Sequence, residues 1–129
     1  MFLKAETKLT LIDIGTLLVP DSTEDSLLYD YENVYEWFYL LVKEISITLN
    51  VSREHGFSGN DNIVPGATYF CAHDNETQLL FDKNIESIAQ WIANVLCTDV
   101  SIHSGKYYVD VPETECVQVV SPSENTNTF

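Results

Sequence analysis

Residues 27–45 read LLYDYENVYEWFYLLVKEI, and the assignment of this stretch decides the fold. Leu27, Tyr31, Val34, Phe38, Leu41 and Ile45 recur at steps of three and four, the spacing that lines one stripe of an α-helix. Ser22 followed by Asp25 resembles a capping box with Asp in place of the usual Glu. Asp30 is an alternative cap for a shorter helix that starts near Tyr31. The spacing therefore predicts a long amphipathic helix that ends near Asn50, where Val51, Ser52 and Arg53 begin a polar stretch. Asp25, Glu32, Glu36 and Lys43 fall on the side opposite the apolar stripe, with Asp21, Glu24 and Asp30 close by.

Upstream, Lys8 to Ile14 alternates and is rich in β-branched residues, which predicts a strand. Gly15 to Pro20 then leads to a turn at Pro20-Asp21-Ser22. Downstream, Gly56 to Gly66 holds three Gly, two Asn, one Asp and one Pro, a loop long enough to be functional. Ala67 to Ala72 reads as a strand, His73 to Thr77 as a turn, and Gln78 to Phe81 as the returning strand. Ile85, Ile88, Ala89, Ile92, Val95 and Leu96 form the stripe of a second helix, capped by Asp82 or Asn84. Val100 to His103 is strand-like, Ser104-Gly105 a hairpin turn into Lys106 to Val111, Pro112 to Glu115 another turn, and Cys116 to Val120 a last strand. Strands in hairpin-linked runs favour α+β: one domain over residues 1–120, a mostly antiparallel sheet with two helices packed on one face. Residues 121–129 read as a polar, frayed tail.

The chain's charge narrows its partners. Twenty Asp and Glu face six Lys and Arg, a formal net charge of −14 over 129 residues, while 45% of residues are hydrophobic and 12% aromatic. That composition supports a folded core under an acidic shell. No Lys or Arg occurs between Lys8 and Lys43. Nucleic acid and anionic membrane surfaces are repelled by such a shell; basic proteins are attracted. No window has the apolar length of a membrane span, and residues 1–6 lack the apolar region of a signal peptide, so a cytoplasmic protein is expected. Cys71, Cys97 and Cys116 are odd in number and widely spaced, as reduced thiols are.

Motifs for catalysis are lacking. There is no G-x-G-x-x-G, P-loop or G-x-S-x-G pattern. His55, His73 and His103 are isolated, with no C-x-x-C, H-x-x-x-H or EF-hand spacing, and Asp21, Glu24, Asp25 and Asp61 would hold a divalent cation only weakly. No metal or cofactor is expected. Cys71 and His73, two apart on a strand, share a side and are the one place for a nucleophile; the plainer reading is a packed thiol beside a strand-end His.

Six aromatics (Tyr29, Tyr31, Tyr35, Trp37, Phe38 and Tyr39) crowd into eleven residues beside the carboxylates. Tyr among acidic side chains is the make-up of a protein-binding surface, where the aromatic anchors and charge steers. The expected contact surface is Glu24, Asp25, Asp30, Glu32, Tyr35 and Glu36, with the Gly56–Gly66 loop beside it. Reversing Glu32 and Glu36 to Lys is expected to slow association and leave the fold intact. The expected function is that of a stoichiometric inhibitor, of the immunity-protein or antitoxin kind, that occludes a basic, nucleic-acid-processing toxin. A phage-type nucleic-acid mimic that blocks a host restriction or CRISPR nuclease rests on the same physics, with its charge spread along a ribbon instead of gathered in a patch. A small enzyme built on Cys71 and His73 is the third reading.

Overall fold

The computed structural model describes residues 1–32, 35–54, 66–105 and 115–123. The elements run β1 (Phe2–Thr7), α1 (Leu11–Leu18), β2 (Asp30–Glu32), β3 (Tyr35–Val42), β4 (Ile47–Glu54), β5 (Gly66–Ala72), α2 (Asn75–Lys83), α3 (Ile85–Leu96), β6 (Val100–His103) and β7 (Cys116–Val120). The strands form one sheet in the order β2-β3-β4-β5-β1-β6-β7, with every neighbouring pair antiparallel. This is the expected α+β architecture, with three helices where the sequence predicts two.

The long helix over residues 27–45 does not form. A helical turn at 23–28 gives way to β2, and β3 and β4 make a hairpin paired from Tyr35↔Glu54 to Val42↔Ile47. Within the stretch, Phe38, Leu40 and Val42 are buried, a period of two, while Tyr31 and Leu41 of the predicted stripe are 63% and 52% exposed. Tyr35 to Val42 is built of aromatic and branched side chains that fit a pleated surface. The return strand supplies a matching alternation, with Ile47, Leu49, Val51 and Arg53 buried. Register then places Phe38 opposite Val51 and Leu40 opposite Leu49, so one hairpin face is a continuous apolar surface. The connecting turn closes through Ile45 N–H to the Val42 carbonyl and Ser46 N–H to the Lys43 carbonyl, with Ser46 at a left-handed φ of 53°.

Two further expectations change. Lys8 to Ile14 is not a strand: β1 lies earlier, and Thr10 caps α1 by accepting a hydrogen bond from the Asp13 N–H at 3.1 Å. Leu11, Ile14 and Leu18 are the buried side of that helix, a stripe that outweighs the local alternation. Gln78 to Phe81 is helical, not a returning strand. Asp74 Oδ1 accepts from the Thr77 N–H at 2.8 Å, an N-cap that starts α2 directly after β5. The assignments of β5, α3, β6 and β7 stand as read. Most of the Gly56–Gly66 loop, the Lys106–Val111 strand, most of the turn after it and the end of the tail lie outside the described residues.

All three helices cover one face of the sheet. Leu3, Ala5, Phe38, Leu40, Leu49, Val51, Phe70, Val100 and Ile102 share that face by register. They form a single buried cluster with Leu11 and Ile14 of α1, Phe81 of α2, and Ile88 and Ile92 of α3. Side chains of opposite parity, Tyr35, Trp37 and Tyr39 among them, line the other face, where Phe2 stacks on His103 with ring centroids 5.0 Å apart. The chain end is tied down at its first residues: Gln90 Nε2 donates to the Ser121 carbonyl at 2.9 Å and the Ser123 N–H donates to Asn94 Oδ1 at 2.8 Å.

Candidate partner-binding surface

Residues 20–32 cross from the end of α1 to the edge of the sheet, and local chemistry fixes their path. The Thr23 N–H donates to Ser26 Oγ at 2.8 Å and the Ser26 N–H donates to Thr23 Oγ1 at 3.1 Å, a reciprocal cap on one helical turn. That turn ends in a Schellman motif: the Tyr29 N–H donates to the Glu24 carbonyl and the Leu28 N–H to the Asp25 carbonyl. The motif needs a left-handed residue, usually glycine, and here it is Leu28 at φ 53°. Leu27, before it, is buried, filling the space that Gly15 leaves open. Its carbonyl accepts from the Tyr39 N–H at 2.8 Å. The turn is thus pinned to both α1 and β3.

What the turn presents to solvent is apolar and acidic together. Leu28 is 64% exposed and Tyr31 63%. Asp21, Glu24, Asp25, Asp30 and Glu32 of the same stretch are all exposed. β2 is an edge strand, so the outer side of its backbone faces no neighbouring strand among the described residues. Glu32 stands opposite Tyr35 and Asp30 opposite Trp37, which puts both carboxylates on the sheet face away from the helices, beside half-buried aromatic rings.

Of the six residues singled out from sequence, the structure groups Glu24 and Asp25 on the turn, and Asp30, Glu32 and Tyr35 at the sheet edge. Glu36 is set apart. It occupies the helix-side face, opposite Arg53. Its Oε2 lies 3.9 Å from Arg53 Nε, and the two side chains are only 14% and 10% exposed. Tyr29 donates its hydroxyl to Glu36 Oε1 at 3.4 Å. Burial first, then the charge of Glu36 and this hydrogen bond, push the Tyr29 phenol up to about 12. Burial also lowers the Arg53 pKa, against the opposing pull of Glu36. Glu36 is therefore the counter-charge of a buried arginine, and its reversal to Lys is expected to destabilise the fold as well as to slow association. Leu28 and Tyr31 are the members that sequence reading missed: the helical stripe assigned Tyr31 to the core, and an exposed leucine carries no signal in a linear pattern.

Cys71 and His73 have separate surroundings. Burial pushes the Cys71 thiol up to about 11, the opposite of what a nucleophile requires. The Cys71 Sγ is 3.8 Å from the Asn50 carbonyl, and the His73 ring packs edge-on against Tyr39 with centroids 4.6 Å apart. Iodoacetamide at neutral pH is expected to label the exposed Cys97 and Cys116 and to label Cys71 on the order of a hundredfold more slowly than an ordinary thiol, with the rate climbing as pH approaches 11. Peptide mass spectrometry after timed labelling reads this directly; fastest labelling at Cys71 would favour the enzyme reading. Among the described residues no group of His, Cys, Asp and Glu is arranged to hold a metal ion, and no helix is long and apolar enough to cross a membrane.

No protein-family model, curated protein or solved structure matches this chain.

Proposed function

We propose that this protein is a stoichiometric inhibitor that binds a basic protein through the surface formed by residues 21–32, and that the partner is a nucleic-acid-processing toxin. One observation carries the reading: residues 21–32 expose two large apolar side chains, Leu28 and Tyr31, together with five carboxylates, and hold no Lys or Arg. Apolar anchors with charged neighbours are the composition of an interface centre and its rim. A nuclease is cationic where it holds phosphates, so an acidic surface speeds capture and covers the cleft.

Acids elsewhere are partly engaged within the chain. Asp82 lies 3.2 Å from the N-terminal ammonium, and Asp74 caps α2. Residues 21–32 hold five exposed carboxylates and no Lys or Arg, a local density that supports a single docking patch over a nucleic-acid-like ribbon. Three unpaired thiols accord with a reducing compartment such as the cytoplasm.

Leu28 allows a test in which stability and binding move in opposite directions. A left-handed leucine is strained by about 1–2 kcal/mol, and a side chain this exposed gains little from burial. Leu28→Gly is expected to raise the unfolding free energy by about 0.5–1 kcal/mol, after glycine's own entropy cost. It is also expected to weaken capture of the basic partner. Urea unfolding and a binding titration, run on the same preparation, check both. A variant that is more stable and binds as well as the wild type would remove Leu28 from the interface.

A further inference from the structure

We infer that the groove between α1, the β3–β4 turn and α3 receives an apolar side chain of the same cationic partner, one flanked by Lys or Arg. This rests on the reading proposed above and extends its footprint to a second site. The groove encloses about 480 Å³ and is lined by Leu17, Val19, Pro20, Leu41, Trp91 and Val95. That volume lies within the range of sites that enclose a ligand group. Leu17 and Leu41 are 47% and 52% exposed, so the walls are apolar and open to water.

Charge at the mouth selects the occupant. Lys43 and Glu44 are the charged residues in its lining. Pro20, also in the lining, is followed in the chain by exposed Asp21, Glu24 and Asp25. The stretch that continues from this wall thus carries three exposed carboxylates, and no Lys or Arg occurs in the sequence between Lys8 and Lys43. Leucine or a similar side chain fills the groove while neighbouring basic residues meet the acids. A second copy of this chain brings its own −14 charge and is disfavoured.

The full-length chain with Trp37→Phe keeps Trp91 as its one tryptophan, inside the groove. Its fluorescence is titrated with a short peptide of leucines set among lysines, a serine/lysine peptide of equal charge, and a leucine/glutamate peptide of equal apolar content. The leucine/lysine peptide is expected to shift Trp91 emission and to bind tighter than the serine/lysine peptide by about tenfold or more, the worth of burying one leucine side chain. Leu41→Asp or Leu17→Asp, both at exposed positions, is expected to abolish that preference. Equal binding of all three peptides, or a preference unchanged in both variants, overturns the inference. So does self-association of the free chain that Leu41→Asp abolishes, which would name a second copy as the occupant. The two readings fail separately. If Leu41→Asp leaves partner capture intact while Asp30→Lys with Glu32→Lys abolishes it, the groove inference falls and the inhibitor reading stands. If the peptide preference holds but no basic partner is captured, the groove inference stands without the inhibitor reading.

Discussion

Glu36→Lys is expected to lower the unfolding free energy by about 3 kcal/mol. Glu36 and Arg53 face each other across the β3–β4 hairpin, both nearly out of solvent. The Nε–Oε2 separation of 3.9 Å makes the attraction itself modest. The expected loss comes from leaving Arg53 buried without its counter-charge and setting a second cation beside it. Tyr29 loses the acceptor of its hydroxyl in the same step. Glu36→Gln keeps the shape and removes the charge, so its expected loss is smaller. Combining Glu36→Arg with Arg53→Glu restores opposite charges and recovers part of the stability. Urea unfolding of the four proteins checks the series. Equal stability of the wild type and Glu36→Lys would show that the pair contributes nothing and that Glu36 is an ordinary surface acid.

Asp30→Lys with Glu32→Lys, six and four residues away from Glu36, is expected to do the reverse: little to the fold and much to binding. Both side chains are exposed on an edge strand, so the change in unfolding free energy should stay within about 0.5 kcal/mol. Association with the basic protein that the wild type captures should slow by about 10–100-fold at low ionic strength, and the difference should shrink as salt screens the steering field. Glu76→Lys with Glu86→Lys changes the net charge equally on α2 and α3, at exposed positions away from the patch, and should slow association far less. Stopped-flow association at two salt concentrations separates the cases. Equal slowing by both pairs would mean that net charge, not this surface, governs capture.

The elements that were legible in the sequence are those where one period had no competitor. α3 repeats Ile85, Ile88, Ala89, Ile92 and Leu96 on one face, and all are buried. β5, β6 and β7 are short runs of branched or aromatic residues between turn residues. Residues 27–45 support two periods at once, because Phe38 belongs to both. The helical set places Tyr31 and Leu41 inside; the strand set places Leu40 and Val42 inside, and cross-strand packing against Leu49 and Ile47 decides for the strand. That partner strand is not visible in a local window. The hairpin turn gives no warning either, since Lys43-Glu44-Ile45-Ser46 holds no Gly, Pro or Asn and Ser46 takes the left-handed position.

The candidate surface divides in the same way. Carboxylate density and the absence of cations are properties of the linear chain, so Glu24, Asp25, Asp30 and Glu32 could be read directly. Which acid is spent on a buried arginine depends on hairpin register, so Glu36 could not be told from its neighbours. The exposure of Leu28 and Tyr31 depends on a Schellman turn and a sheet edge, and neither residue type announces it.

The central claim is that the surface of residues 21–32 captures a basic protein, and a paired pull-down tests it most directly. Wild-type protein and the variant carrying Asp30→Lys and Glu32→Lys are each used as bait in source-cell lysate, at low and at moderate salt, and the bound proteins are identified by mass spectrometry. The account predicts one basic, nucleic-acid-handling protein on the wild type, weakened by salt and absent from the variant. The same proteins on both baits, or no stable partner on the wild type at either salt, would contradict it.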